Sequence, residues 1–148
     1  MSEEQQVTEQ SLEQNVMMLE TAKAQLDGLA KQQQLIQLAI EEHARARETV
    51  KQLSKGSPGD DILVPIGADS YLHAKVSDKK DAIVGIGSGV SVSKTPEEAE
   101  KTLDAKIDDL SRAFKSVGER AAQTEALIQD LTEKVQTQYS TLQSRGQA

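Results

Sequence analysis

The sequence predicts a mainly α protein: a long antiparallel two-helix coiled coil with two β-hairpins inserted between the helices. Three observations predict it. Heptad-like apolar seams run on both sides of a central stretch, with no proline inside either seam. The central stretch, Asp61 to Lys94, is β-branched and alternating, and Pro58, Pro65 and Pro96 lie in it or beside it. The two seams also match each other in one antiparallel register, whose midpoint falls inside that stretch.

The first helix is expected over residues 3–53. Its apolar positions are Leu12, Val16, Leu19, Ala22, Leu26, Leu29, Ile36, Ile40 and Val50, with Gln33, His43 and Arg47 at seam positions further along. At a rise of about 1.5 Å per residue such a helix is roughly 75 Å long, so it must pair along its length rather than wrap a small core. Ser54 to Asp61, rich in Ser, Gly and Pro, ends it and redirects the chain.

The insert, 54–94, reads as four strands. Ile62 to Ile66 is the first, and Pro65, which cannot donate to a ladder, puts it at an edge or near its end. Ser70 to Val76 is the second, Ala82 to Ile86 the third and Val90 to Ser93 the fourth. Gly67-Ala68-Asp69, Ser77 to Lys80 and Gly87-Ser88-Gly89 are the intervening turns. Two hairpins alone are marginal in water. The apolar strand residues therefore point to association with other strands. They are Ile62, Leu63, Val64 and Ile66, then Tyr71, Leu72 and Val76, then Ile83, Val84 and Ile86, and finally Val90 and Val92.

The second helix is expected over 95–144. Thr95, Pro96 and Glu98 form a capping-box start. Its seam runs Leu103, Ile107, Leu110, Phe114, Val117, Ala121, Thr124, Ile128, Leu131, Val135, Gln138 and Leu142, in steps of 4 and 3. Folded antiparallel about the insert, Leu12 is expected to face Val135, Val16 to face Leu131, Leu19 to face Ile128, and Ile40 to face Ile107. Gly28 and Gly118 would then lie across from each other, as a hinge or as two tolerated helix glycines.

Composition narrows the functions. The hydrophobic fraction is 36%, with one Phe, two Tyr and no Trp in 148 residues, which suits a narrow seam completed by other subunits better than a compact core. A net charge of −7 argues against nucleic acid as a partner. The absence of cysteine removes disulfides, thiolate metal sites and a thiol nucleophile. No apolar run approaches the ~18 residues of a membrane span, and the acidic N-terminus is no signal peptide, so a cytoplasmic chain is expected. Gly85-x-Gly87-x-Gly89 lacks phosphate-loop spacing and reads as a hairpin turn. His43 and His73 have no metal-like spacing, and no catalytic group, metal or cofactor is expected.

One end of the coil carries spare apolar surface. Glu3, Glu4, Glu9, Glu13 and Glu20 make the first stretch acidic, and within it lie Val7, Leu12, Val16, Met17, Met18 and Leu19. A two-helix seam covers two or three of the consecutive Val16 to Leu19, so one or two face out. Val135, Tyr139 and Leu142 lie opposite. Methionine recurs on surfaces that take varied apolar partners. This end is therefore a candidate site for exposed hydrophobic segments. Ordinary coil packing is the competing reading.

Leu63-Val64-Pro65-Ile66-Gly67, the following Ser-Tyr-Leu strand, and Val84-Gly85-Ile86-Gly87-Ser88-Gly89 before an acidic helix start resemble the prefoldin α-subunit family of the archaeal type. The resemblance spans helix, double hairpin and helix. It implies a single prefoldin-like domain over 1–148 and a hexamer of two α with four prefoldin β subunits, its hairpins closing a β-barrel body. It further implies an ATP-independent chaperone, not an enzyme, that binds nonnative polypeptides at the coil ends and delivers them to a group II chaperonin. A structural tether, with the insert only setting oligomeric state, is the alternative.

Overall fold

The computed structural model describes residues 8–78 and 81–146. The elements follow one another as α1 (Glu9–Lys55), β1 (Asp61–Gly67), β2 (Ser70–Lys75), β3 (Ala82–Gly87), β4 (Val90–Lys94) and α2 (Pro96–Gly146). Two compact units are formed. One combines the chain up to Gln37 with the chain from Arg112, and the other is Leu38–Ser111.

Both helix starts are capped by side chains. At α2 the Glu98 amide donates to Thr95 Oγ1 at 3.3 Å and the Thr95 amide to Glu98 Oε2 at 3.4 Å, the predicted capping box. At α1 the same reciprocity joins Thr8 and Ser11: the Ser11 amide donates to Thr8 Oγ1 at 3.1 Å and the Thr8 amide to Ser11 Oγ at 3.0 Å. A cap residue is non-helical. The described helix therefore begins at Glu9, and the expected start at Glu3 lies outside the described residues.

In the first unit the seam buries Ala22, Leu29, Val117 and Leu131. Polar seam residues set its register. Asn15 Nδ2 donates to Gln138 Oε1 at 2.9 Å. A methyl group on Gly118 would lie 2.9 Å from Gln33 Nε2. Under the predicted register Gln33 would face Phe114, so the true partner lies one helical turn further along α2. Gly28 does not face Gly118 either. Nothing lies within 4 Å of a methyl group built on Gly28, which borders Gln32, Arg120 and Thr124. The paired-glycine hinge is thereby removed.

In the second unit Ala99, Leu103 and Val84 are buried. Arg47 forms an ion pair with Asp104, where the predicted register would have put Glu100. The strands form two separate antiparallel sheets, β1–β2 and β3–β4. Asp61 pairs with Lys75, Leu63 with His73 and Pro65 with Tyr71, with a bulge before the pair Gly67–Ser70. The second hairpin repeats this twenty residues later: Gly85 pairs with Ser91, with a bulge before the pair Gly87–Val90. The turns match too. Gly67 (φ 97°) precedes Ala68 (51°) and Asp69 (55°), and Gly87 (107°) precedes Ser88 (53°) and Gly89 (75°). Two successive positive φ values give a turn whose twist matches that of the flanking strands. Positions 67 and 87, near φ 100°, accept only glycine without strain. Val76 lies just beyond β2, yet its amide donates to the Asp60 carbonyl at 2.9 Å and continues the ladder.

Candidate functional site

Two surfaces stand out, one in each unit. In the first unit the α1 seam turns Leu12, Val16 and Leu19 inward, where each is half-buried. That rotation leaves the intervening residues on the outside. Met17 is 67% exposed and Met18 52%. Of the four consecutive apolar residues two face out, as the seam width requires. With Leu127 and the small residues Thr21 and Ala22 they line a shallow groove of about 520 Å³. Leu127, 43% exposed, is a member that the seam pattern could not supply. The available signal was the run Ala126-Leu127-Ile128, which a single stripe cannot bury.

A second groove of about 390 Å³ lies between Leu12 on α1 and Tyr139 and Leu142 on α2, bordered by Glu9 and Glu13. Leu12 thus shares this groove with Tyr139 and Leu142, in keeping with the shifted register. Val135 and Leu142 are half-buried, and Tyr139 is exposed. Val7 lies outside the described residues. The carboxylates of Glu9, Glu13 and Glu20 stand on this part of α1, whose first base is Lys23. The surface is apolar with an acidic border.

In the second unit the hairpins expose apolar residues on both faces. Leu63 and Val64 are neighbours in β1 and so point to opposite faces, yet both are exposed. Ile66, Tyr71, Leu72, Ile83, Ile86, Val90 and Val92 are exposed as well, and Ile83 reaches 79%. Ile62 and Val76 are half-buried. Val84 differs: it is 7% exposed, covered by its own chain at a cleft that also takes in Leu103, Val50 and Ala46.

Polar chemistry is sparse. His43, bordering that cleft, lies with Nδ1 2.7 Å from the Ala39 carbonyl, a contact within its own helix. His73 sits on β2 opposite Leu63. The Gln52 amide, donating to Glu48 Oε1 at 2.8 Å, holds the Glu48 carboxyl below the usual carboxylate range, as expected on a solvated helix face. Among the described residues no group of His and acids is placed to hold a metal ion, and no helix is long and apolar enough to cross a membrane.

The class is therefore a coiled-coil protein with a double β-hairpin insert and two exposed apolar surfaces, one on the helices and one on the strands. The family model for the prefoldin subunit matches residues 22–147. The chain belongs to the prefoldin family. It is similar to prefoldin subunit alpha of Methanothrix thermoacetophila, 40% identical over 65 residues that cover 44% of this chain and 42% of the relative. It is also similar to prefoldin subunit alpha of Pyrococcus horikoshii, 37% identical over 76 residues, 51% of each chain. The chain spans about half the length of the curated relatives it matches. Among solved structures it resembles a chain of a filamentous PFD from Methanocaldococcus jannaschii, with a TM-score of 0.65 and 25% identity, covering 78% of this chain and 95% of that one.

Proposed function

We propose that this chain is a subunit of an ATP-independent molecular chaperone, not an enzyme. It acts as one prefoldin-like domain over 1–148, whose insert serves assembly and whose helix ends serve binding. Nonnative polypeptides are held by the coil end, at Leu12, Val16, Met17, Met18, Val135, Tyr139 and Leu142, with Val7 added from the preceding segment. The observation that carries this reading is the pair Met17 and Met18, exposed side by side on a helix whose seam is already filled. Unbranched thioether side chains adapt to many apolar shapes, as a surface for unrelated clients requires.

The hairpins serve assembly with prefoldin β subunits, two α with four β, in a β-barrel body. Exposed apolar residues on both faces of a two-stranded ribbon support this, since such a ribbon is marginal by itself. Delivery to a group II chaperonin in the cytoplasm completes the proposal. Removing residues up to Met17 and those after Val135 should leave co-assembly with a prefoldin β subunit intact and abolish suppression of client aggregation. Full suppression by the shortened complex would move the binding surface elsewhere. A fixed structural tether would show no affinity for denatured protein in the intact complex.

A further inference from the structure

The two hairpins carry the same ladder twenty residues apart, and each has a protected first strand. The phase of the first ladder follows from the Val76 amide, which donates to the Asp60 carbonyl at 2.9 Å. The Val76 carbonyl in turn accepts from the Gly59 amide at 2.7 Å, so residue 76 bonds inward to the 59–60 segment, and inward-bonded and outward-turned positions alternate along an antiparallel ribbon. Asp61–Lys75, Leu63–His73 and Pro65–Tyr71 are then non-hydrogen-bonded pairs, with their backbone groups turned to the outer edges. Pro65 accordingly lacks an amide where β1 would offer one to an incoming strand. The second hairpin repeats the register, so Ile83–Ser93 and Gly85–Ser91 are its outward-turned pairs. The Gly85 carbonyl should point away from β4, and it does: Lys106 Nζ, from α2, donates to it.

Position 85 is the counterpart of position 65. One hairpin loses its outward donor there to proline, and the other has its outward acceptor occupied by lysine. Proline and lysine are both recurrent means of blunting an edge strand. Proline is permanent, whereas an ammonium on a half-buried four-carbon stem can swing away. We propose that Lys106 is a gate on the β3 edge. In the unassembled chain it occupies the Gly85 carbonyl and keeps β3 from pairing with the β3 of another copy. An added strand of a partner subunit displaces it. The gate rests on the assembly role proposed above.

The test is the self-association of the full chain without a partner, followed by sedimentation velocity. Lys106→Met keeps the stem and removes the donor. It should associate at a concentration about tenfold lower than the natural chain, whereas Lys106→Arg, which still donates, should not. Adding Ile83→Pro to Lys106→Met removes an outward amide of β3 without touching the β3–β4 ladder, and should reverse the gain. Equal association of Lys106→Met and the natural chain overturns the gate, and so does a gain that survives Ile83→Pro. Co-assembly of the natural chain with a prefoldin β subunit is measured in parallel. Its failure would count against the assembly role, while the self-association comparison still decides the gate.

Discussion

Replacing Met17 and Met18 together by Gln tests the coil-end surface directly. Both are already largely in water, at 67% and 52% exposure, so the folded chain gives up little contact. Surface changes of this kind stay within about 0.5 kcal/mol of stability. A client that covered both would remove somewhat more than one whole methionine side chain from water. At about 1.5–3 kcal/mol per fully buried side chain, that is at most about 2–4 kcal/mol. A mobile client covers such a surface only in part, which brings the expected loss to about 1–2 kcal/mol, or roughly 5–30-fold in affinity. The assay is binding of a labelled, chemically denatured protein to the complex assembled with a prefoldin β subunit, alongside thermal melting of each variant. Leu35→Gln supplies the control. Leu35 is 68% exposed in the same unit but stands apart from the Met17–Leu127 groove, so its loss should leave affinity unchanged. Binding of the double variant within twofold of the natural chain would exclude this surface. Equal weakening by Leu35→Gln would exclude it too, because exposure anywhere would then suffice.

Three further outcomes follow from the packing. Thr95→Ala removes the acceptor for the Glu98 amide and should cost about 1 kcal/mol, read as a lower melting temperature with unchanged helix content at low temperature. Gly28→Ala meets nothing within 4 Å and should stabilise by up to about 1 kcal/mol, whereas Gly118→Ala must first push the Gln33 amide aside and should gain less; denaturant midpoints compare the two. Asn15→Leu combined with Gln138→Leu should be neutral or stabilising, since it removes both partners of a half-buried polar pair, while Asn15→Leu alone strands the Gln138 amide oxygen, leaving its nitrogen on Ser11 Oγ, and should cost about 1 kcal/mol, resolved by a double-mutant cycle in melting.

The order of elements was legible because periodicity survives any packing detail: steps of 3 and 4 mark the helices, and alternation between glycine-bearing turns marks the strands. Register was less legible for the same reason. A seam stepping by 3 and 4 nearly superimposes on itself when slid by a turn, so Leu12 finds an apolar partner at Val135 or at Tyr139 alike. What breaks the tie is polar: Asn15 with Gln138, Gln33 beside Gly118, Arg47 with Asp104. Such pairs specify alignment at some cost in stability. Apolar matching could not rank them. The start of α1 at Glu9 is written in Thr8 and Ser11, which have the spacing of a reciprocal cap. Leu127 escaped because it lies off the stripe. The Lys106 contact with Gly85 escaped because residues 21 apart meet only once the second hairpin folds onto α2.

Where the apolar residues end up ties the two surfaces to one cause. Among the described residues the buried apolar set is Ala22, Leu29, Val84, Ala99, Leu103, Val117 and Leu131, and two of these are alanines. The larger apolar residues Met17, Leu35, Leu63, Tyr71, Leu72, Ile83 and Tyr139 all stay more than half exposed. A seam one stripe wide cannot cover them, and a two-stranded ribbon has no interior. Under the assembly proposed above their burial comes from other chains, and a free energy supplied by partners depends on their concentration. Melting of the chain alone should accordingly shift with concentration once Lys106→Met opens the β3 edge, and should rise when a prefoldin β subunit is added. In the assembly proposed above, strand partners would cover the hairpin surface permanently, because backbone ladders require a defined register. The groove at Met17 and Met18 offers no backbone groups, since α1 uses its own. It can hold an apolar segment without specifying its sequence, which suits transient contact with many chains better than a fixed interface.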